Sequence, residues 1–273
     1  MTRLLGLCAD DFGLATGIAA GIARLAHAQR LTAVSCITNS PHWVASARLL
    51  RALPKTVEVG LHLNLTEGRP LSPRLARRWP RLPGLPRLLA LAHLRLLPLS
   101  QLRNEVHEQL ATFNDACGRS PDFIDGHQHV HHLPGLRDII LDMVEHVQPL
   151  PALRSTGRVL GPGDGFKRWM IERTGGRALD AELGRRVIAH NPALLGAYDF
   201  RDPDYGALMR QWLAALPADG GLLFCHPGKH LAGDPPDAIG AARERELAYL
   251  ESAAFDVDLA AADVRLGRVW QTR

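Results

Sequence analysis

The sequence predicts an α/β protein, a (β/α) barrel-like fold with mostly parallel strands. Three observations predict it. Short apolar runs that read as strands alternate with amphipathic runs that read as helices along the whole chain, the pattern of consecutive βα units. Polar residues collect where the apolar runs end: Asp10 and Asp11, His62 and Asn64, Asp125 and His127, and His226. In α/β barrels that C-terminal rim is where sites form. Finally, the 273 residues are 46% apolar and contain no internal repeat, which suits a single domain over residues 1–273.

The elements follow in order. Residues 4–9 are apolar without a period, as a fully buried strand is, and end at Asp10-Asp11-Phe12-Gly13. A helix is expected over 15–28, a β-branched strand over 31–38, and a helix from Pro41 to the break at Pro54. Residues 57–66 form the third strand; its alternation puts His62 and Asn64 on one side and Val59, Leu61, Leu63 and Leu65 on the other. The pattern then fails over about 67–100, an irregular Pro/Leu/Arg-rich insertion. Such a connection is either a variable surface loop or a functional one. The functional reading is a lid or an oligomer contact with an apolar, basic inner surface, which is compatible with a homodimer.

A helix over 100–114 is expected, with Ser100 as N-cap and Glu105 and Glu108 near its first turns. Residues 123–125 are a brief strand, 134–146 a helix, and 152–155 a fifth strand. Residues 156–175 are Gly-rich and read as irregular. Helices over 178–189, 205–216 and 236–252 alternate with strands at 194–198, 221–225 and 264–270.

Composition excludes several classes. Net charge is +4, but the arginines are dispersed and no aromatic–basic interleaving is present, so no nucleic-acid partner is expected. Cys8, Cys36, Cys117 and Cys225 are far apart with no C-x-x-C pair, which signals neither a thiol zinc site nor a disulfide framework. The N-terminal apolar run is too short and too acidic for a signal peptide, and no uncharged run reaches the length of a membrane span. No stable membrane insertion is expected, and a cytoplasmic protein is the default.

The richest stretch is Asp125-Gly126-His127-Gln128-His129-Val130-His131-His132, with four of the chain's 13 histidines in six positions. Extended, it sends Asp125, His127, His129 and His131 to one side; helical, it pairs His127 with His131. Either geometry gathers imidazoles and a carboxylate, the ligands a metal prefers. An Asp/His/His set with open positions is a hydrolytic metal arrangement, in which the ion polarises a carbonyl and acidifies water while a second carboxylate removes the proton. Asp10 and Asp11 cannot both point the same way at a strand end, so one can bind metal and the other act as base. His226 can protonate a leaving amine, and Arg154 can pair with a rim carboxylate. Each residue also has a plain structural reading: Asp10 as a helix cap, His62 as a buried hydrogen-bonded histidine, His226 as a turn residue, and Arg154 as a surface arginine.

Ala9-Asp10-Asp11-Phe12-Gly13, Gly60-Leu61-His62-Leu63-Asn64-Leu65-Thr66, the Asp125–His131 run and Cys225-His226-Pro227-Gly228 together resemble the motifs of the YdjC-like carbohydrate deacetylases. That family includes chitooligosaccharide deacetylases and the hopanoid-associated HpnK deacetylases. The resemblance covers nearly the whole chain and implies a barrel-like fold related to polysaccharide deacetylases. It implies a single catalytic domain that removes the N-acetyl group of an acetylated amino sugar, oligosaccharide or glycoconjugate. Carried over by motif, Asp11, His62 and His127 bind one divalent metal ion, Asp10 is the general base and His226 the candidate general acid. Asn64, His129, His131 and Arg154 stand as substrate contacts or behind the ligands. Two imidazoles and a carboxylate suit zinc, although the resemblance also brings magnesium, which prefers oxygen ligands. Rival readings are a metal-dependent phosphoester hydrolase, for which Gly161-Pro162-Gly163-Asp164-Gly165 is no match to a phosphate-cradling loop, and a non-catalytic metal- or sugar-binding protein.

Overall fold

The computed structural model describes residues 2–272. Its eight described strands are β1 Arg3–Phe12, β2 Ala33–Cys36, β3 Glu58–Leu63, β4 Phe123–Gly126, β5 Ala152–Leu153, β6 Leu194–Leu195, β7 Gly221–Cys225 and β8 Val264–Leu266. They form one parallel sheet in the order β5-β4-β3-β2-β1-β7-β6, with β8 pairing β1 in addition. That is the order of a barrel. Between β5 and β6 the ladder is replaced by irregular chain: Leu153 donates to the Ala189 carbonyl, and Val159 bridges Leu194. The result is a barrel-like sheet open along one seam.

The period-2 alternation of each strand divides the core into two layers. Leu5, Leu7 and Ala9 of β1, Val59, Leu61 and Leu63 of β3, and Leu223 and Cys225 of β7 face outward and pack with the helices in the larger core. Cys8, Ala33, Phe123, Ala152, Leu194 and Leu222 face inward and form a smaller core of their own. Gly60 belongs to this inner layer, where a Cβ would meet the Phe123 ring at 2.5 Å. The chain end closes the layer from below. Val269 packs into it, Trp270 stacks on Phe123 with centroids 5.1 Å apart, and Gln271 bridges His190.

The next inward positions, two residues further along each strand, are polar: Asp10, Ser35, His62, Asp125 and Arg154. This layer forms the floor of the site. At its edge β1 departs from regularity. The register with β2 shifts between Ala9 and Phe12, and Asp11 has φ +67. A regular strand would send Asp11 outward to the helices; the left-handed twist turns it back to the rim beside Asp10.

Eleven α-helices lie among the described residues: α1 Thr16–His27, α2 Trp43–Leu50, α3 Pro73–Arg78, α4 Leu85–His93, α5 Leu99–Cys117, α6 Leu136–Val144, α7 Gly165–Ile171, α8 Arg177–Arg186, α9 Tyr205–Ala215, α10 Gly240–Glu251 and α11 Ala253–Ala261. Several differ from expectation. The insertion is not irregular: Ser72 caps α3 and Pro86 sits in the first turn of α4, so the prolines start helices rather than prevent them. Ser100 is not an N-cap, because α5 begins at Leu99 after Pro98. Glu105, expected near the first turns of this helix, is fully buried and accepts from the Leu71 and Ser72 amides, tying the insertion to the barrel. The Gly-rich 156–175 stretch contains α7. The helix expected over 236–252 starts only at Gly240, and α11 follows it after a break at Ser252.

Candidate active site

The floor is a buried charged network that meets the cavity at Asp10 and His62. Arg154, fully buried at the end of β5, donates to both oxygens of Asp10 at 2.7 Å and reaches Asp125 Oδ2 at 2.5 Å. Its NH2 also contacts Cys8 Sγ at 3.2 Å, and the guanidinium lies 5.7 Å from the Phe224 ring centroid. Asp125 turns its other oxygen to His62: Nδ1 donates to Oδ1 at 2.6 Å, and the Ser35 hydroxyl donates to the same oxygen at 2.5 Å. Burial would raise the Asp125 carboxyl, but Arg154 and His62 hold it well below the usual range. Cys8, Asp10 and Asp125 converge closely enough to suggest a metal cluster, yet the Arg154 cation already fills the space between them.

A second convergence lies just above. Asp11 Oδ1 is 3.5 Å from His62 Nε2 and 2.9 Å from His127 Nδ1. His62 Nε2 is buried and has no hydrogen-bond partner. Its Nδ1–H is committed to Asp125, so Nε2 is the nitrogen that faces Asp11 and the one that would bind an ion on giving up its proton. These three residues fit a divalent ion on their own chemistry: one orphaned imidazole nitrogen, a second imidazole and a carboxylate, all buried and all converging. The carboxylates of Asp10, Asp11, Asp125, Glu67 and Asp237 gather round Arg154, Arg243 and the two imidazoles. Burial lowers both histidines, but Asp125 raises His62 to about 10 and Asp11 raises His127 to about 9.

Each expected residue can now be placed. Asp10, Asp11, His62, Asn64, His127, His129 and His226 all line one cavity of about 1190 Å³. Arg154 and His131 lie beneath it. His131 Nε2–H donates to the Arg154 carbonyl at 2.9 Å, which fixes the strand end that carries the guanidinium. The histidine run adopts neither expected geometry. It is a tight 3-10 turn with left-handed Gln128 (φ 53) and His129 (φ 61). Gly126 is extended, at φ −149, so positive φ is not its reason; a Cβ there would meet the His131 amide at 2.9 Å. His129 stands edge-on to Phe224 at 5.1 Å with its Nδ1 unpartnered, and burial, then Arg154, keeps it neutral.

Asn64 is occupied by its own turn: Oδ1 accepts from the Thr66 and Glu67 amides, and Nδ2 donates to the Glu67 carbonyl and Asn39. His226, at the end of β7, has its ring against Phe200 and Phe224. Burial holds its pKa well below the usual histidine range.

Four contributors were missed by sequence reasoning. Arg243 of α10 donates to Asp11 Oδ2 at 2.7 Å and to Asp237 at 2.5 Å. Glu246, one turn later, accepts from the His226 amide and the Tyr198 hydroxyl, each at 2.5 Å. Glu67 approaches His127 Nε2 at 3.3 Å. Ser35 supports Asp125. A signal for the α10 pair was present, because Arg243 and Glu246 fall on the same stripe as buried Ala242, Leu247 and Leu250.

The insertion walls the cavity with Arg69, Pro70, Leu71, Arg81, Leu85 and Leu89. Among the described residues no helix is long and apolar enough to cross a membrane.

A sequence model of the family described as YdjC-like protein matches residues 4–261. The chain belongs to the YdjC family. Relatives within reach include a carbohydrate deacetylase of Mus musculus, 30% identical over 271 residues, covering 88% of this chain and 85% of the relative. A chitooligosaccharide deacetylase of Citrobacter koseri is 34% identical over 147 residues, covering 51% of this chain and 55% of the relative. A crystal structure of an Enterococcus faecalis protein superposes with TM-score 0.76 over 98% of both chains at 21% identity, so this YdjC-family chain shares its fold.

Proposed function

We propose that this chain is a metal-dependent carbohydrate deacetylase that hydrolyses the N-acetyl group of an amino sugar, oligosaccharide or glycoconjugate. The observation that carries this reading is the convergence of Asp11, His62 and His127 beside an Arg154-clamped Asp10, on the floor of a cavity large enough for a saccharide. The names of the family relatives support the substrate class. Asp11, His62 and His127 would hold the ion. A divalent ion there would supply Lewis acidity toward the acetamide carbonyl and would lower the pKa of water so that it is easily deprotonated. The ligand set favours zinc over magnesium.

The chain's own residues do the rest. Asp10 accepts the proton of the attacking water. Both of its oxygens are held by Arg154, but a carboxylate has about four acceptor sites, which leaves capacity for that proton. Arg154 fixes the direction of the carboxylate and balances its charge. Addition of water at the carbonyl carbon and cleavage of the C–N bond give acetate and a free amine. The proton that Asp10 takes from water is the one the departing amine carries away, and His226, neutral in the free enzyme, offers one N–H to the substrate. Phe200, Phe224 and the leucines of α4 exclude bulk water. A cytoplasmic location belongs to the same proposal.

The test is acetate release from N-acetylglucosamine oligomers and glycoconjugates by metal-stripped protein, with zinc, magnesium, manganese or cobalt restored singly. Acetate that depends on added metal is expected. Phosphate release from a phosphoester panel, or saccharide binding without acetate, would replace this reading by one of its rivals.

A further inference from the structure

We infer that Glu67 is a positioning residue for His127: its carboxylate holds the Nε2 edge of the ring so that Nδ1 stays turned to Asp11. This rests on the reading of Asp11, His62 and His127 as metal ligands. The two histidines are built alike. His62 turns Nε2 to Asp11 and gives Nδ1–H to Asp125. His127 turns Nδ1 to Asp11, and the carboxylate facing its far nitrogen is Glu67, at 3.3 Å. A ligating imidazole needs such a partner, which sets the tautomer and the ring direction.

Glu67 is placed deliberately. Its backbone amide donates to Asn64 Oδ1 at 3.1 Å, and its carbonyl accepts from Asn64 Nδ2 at 3.0 Å. Asn64 is itself locked by Gln109, which accepts from its amide and donates to its carbonyl. From the other side, Gln128 Nε2 donates to Glu67 Oε1 at 3.3 Å, from a residue whose left-handed backbone turns it there. The clamp explains why Asn64, a cavity residue, spends its polar atoms on a turn. His127 Nε2 is buried without an aligned hydrogen bond, and the 47% exposed Glu67 side chain has the freedom to align.

The experiment is zinc titration of metal-stripped full-length wild type, Glu67→Ala and Glu67→Gln by calorimetry, with solvent exchange of the His127 Nε2–H in the zinc-bound form read by ¹⁵N–¹H NMR. Wild type should bind with Nε2 protonated. Glu67→Ala should bind zinc about 10–100-fold more weakly and exchange the His127 Nε2–H of the zinc-bound form faster with water, while its metal-stripped melting temperature matches wild type because the side chain is half exposed. Glu67→Gln, which keeps an acceptor, should recover part of the affinity. Unchanged affinity or unchanged Nε2–H exchange in Glu67→Ala would overturn the inference. A wild type that takes up no ion would instead remove the metal reading on which the inference stands.

Discussion

Arg154 and Asp10 form a fully buried, two-pronged ion pair, with both carboxylate oxygens 2.7 Å from guanidinium nitrogens. The same guanidinium reaches Asp125, which orients His62. One cation therefore organises both the proposed base and the support of a proposed metal ligand. Arg154→Met strands two buried carboxylates and should destabilise the fold by about 3–5 kcal/mol, read by denaturant unfolding. Arg154→Lys keeps the charge but not the fork, so it should fold and lose at least about 100-fold in kcat. Wild-type turnover in Arg154→Lys would show that the fork does not matter.

Asp10 and Asp125 have separable duties, and their asparagine variants should separate them. Asp10→Asn should lose about 10²–10⁴-fold in turnover while binding metal as wild type does. Asp125→Asn should bind metal about 10–100-fold more weakly. Calorimetric titration together with acetate assays distinguishes the two, and near-normal turnover in Asp10→Asn would rule out its role as base.

Glu246 predicts a pH effect on stability. Burial pushes its carboxyl up to about 7, from an ordinary 4.5, against the hydrogen bonds of Tyr198 and the His226 amide and the charge of Arg243; Asp10 adds to the rise. The folded value exceeds the unfolded one, so the protonated form favours folding. Its contribution is fully present below about 4.5 and is lost as pH rises to about 7. Glu246→Gln should therefore be more stable relative to wild type at pH 8 than at pH 4.5, by several degrees in Tm. A Tm difference that does not change with pH would contradict this.

The α4 wall should act on substrate binding. Leu89→Asp places a charge on an apolar cavity surface and should raise KM about tenfold with kcat nearly unchanged, the signature of lost uniform binding. If kcat falls instead, α4 orders the floor and is not merely a wall.

Much of the site was legible because strand alternation is a local rule. Cys8 to Asp10, Gly60 to His62 and Phe123 to Asp125 each step from the inner apolar layer to the polar one, and that step is visible in the residues themselves. The insertion was misread because its prolines count as breakers in general, whereas a helix-starting proline depends on which residue it follows. Arg243 and Glu246 escaped, although a helical stripe carries them, because charged residues outside a motif look like solvated surface until burial is known; Glu67, 47% exposed, escaped because only the folded turn brings it to His127.

The sequence by itself determined the order of the strands, the polar residues at the ends of β1, β3, β4 and β7 and the family, since each depends on residue identity and short-range spacing; it did not reveal α3, α4, α7 or α11. Only the tertiary structure decided which partner each charge has. Asp10 and Asp11 are adjacent and chemically identical, yet the left-handed backbone at Asp11 sends one to Arg154 and the other to His62, His127 and Arg243. That division depends on elements more than a hundred residues apart arriving at one rim, where burial makes every unpaired charge too costly to leave.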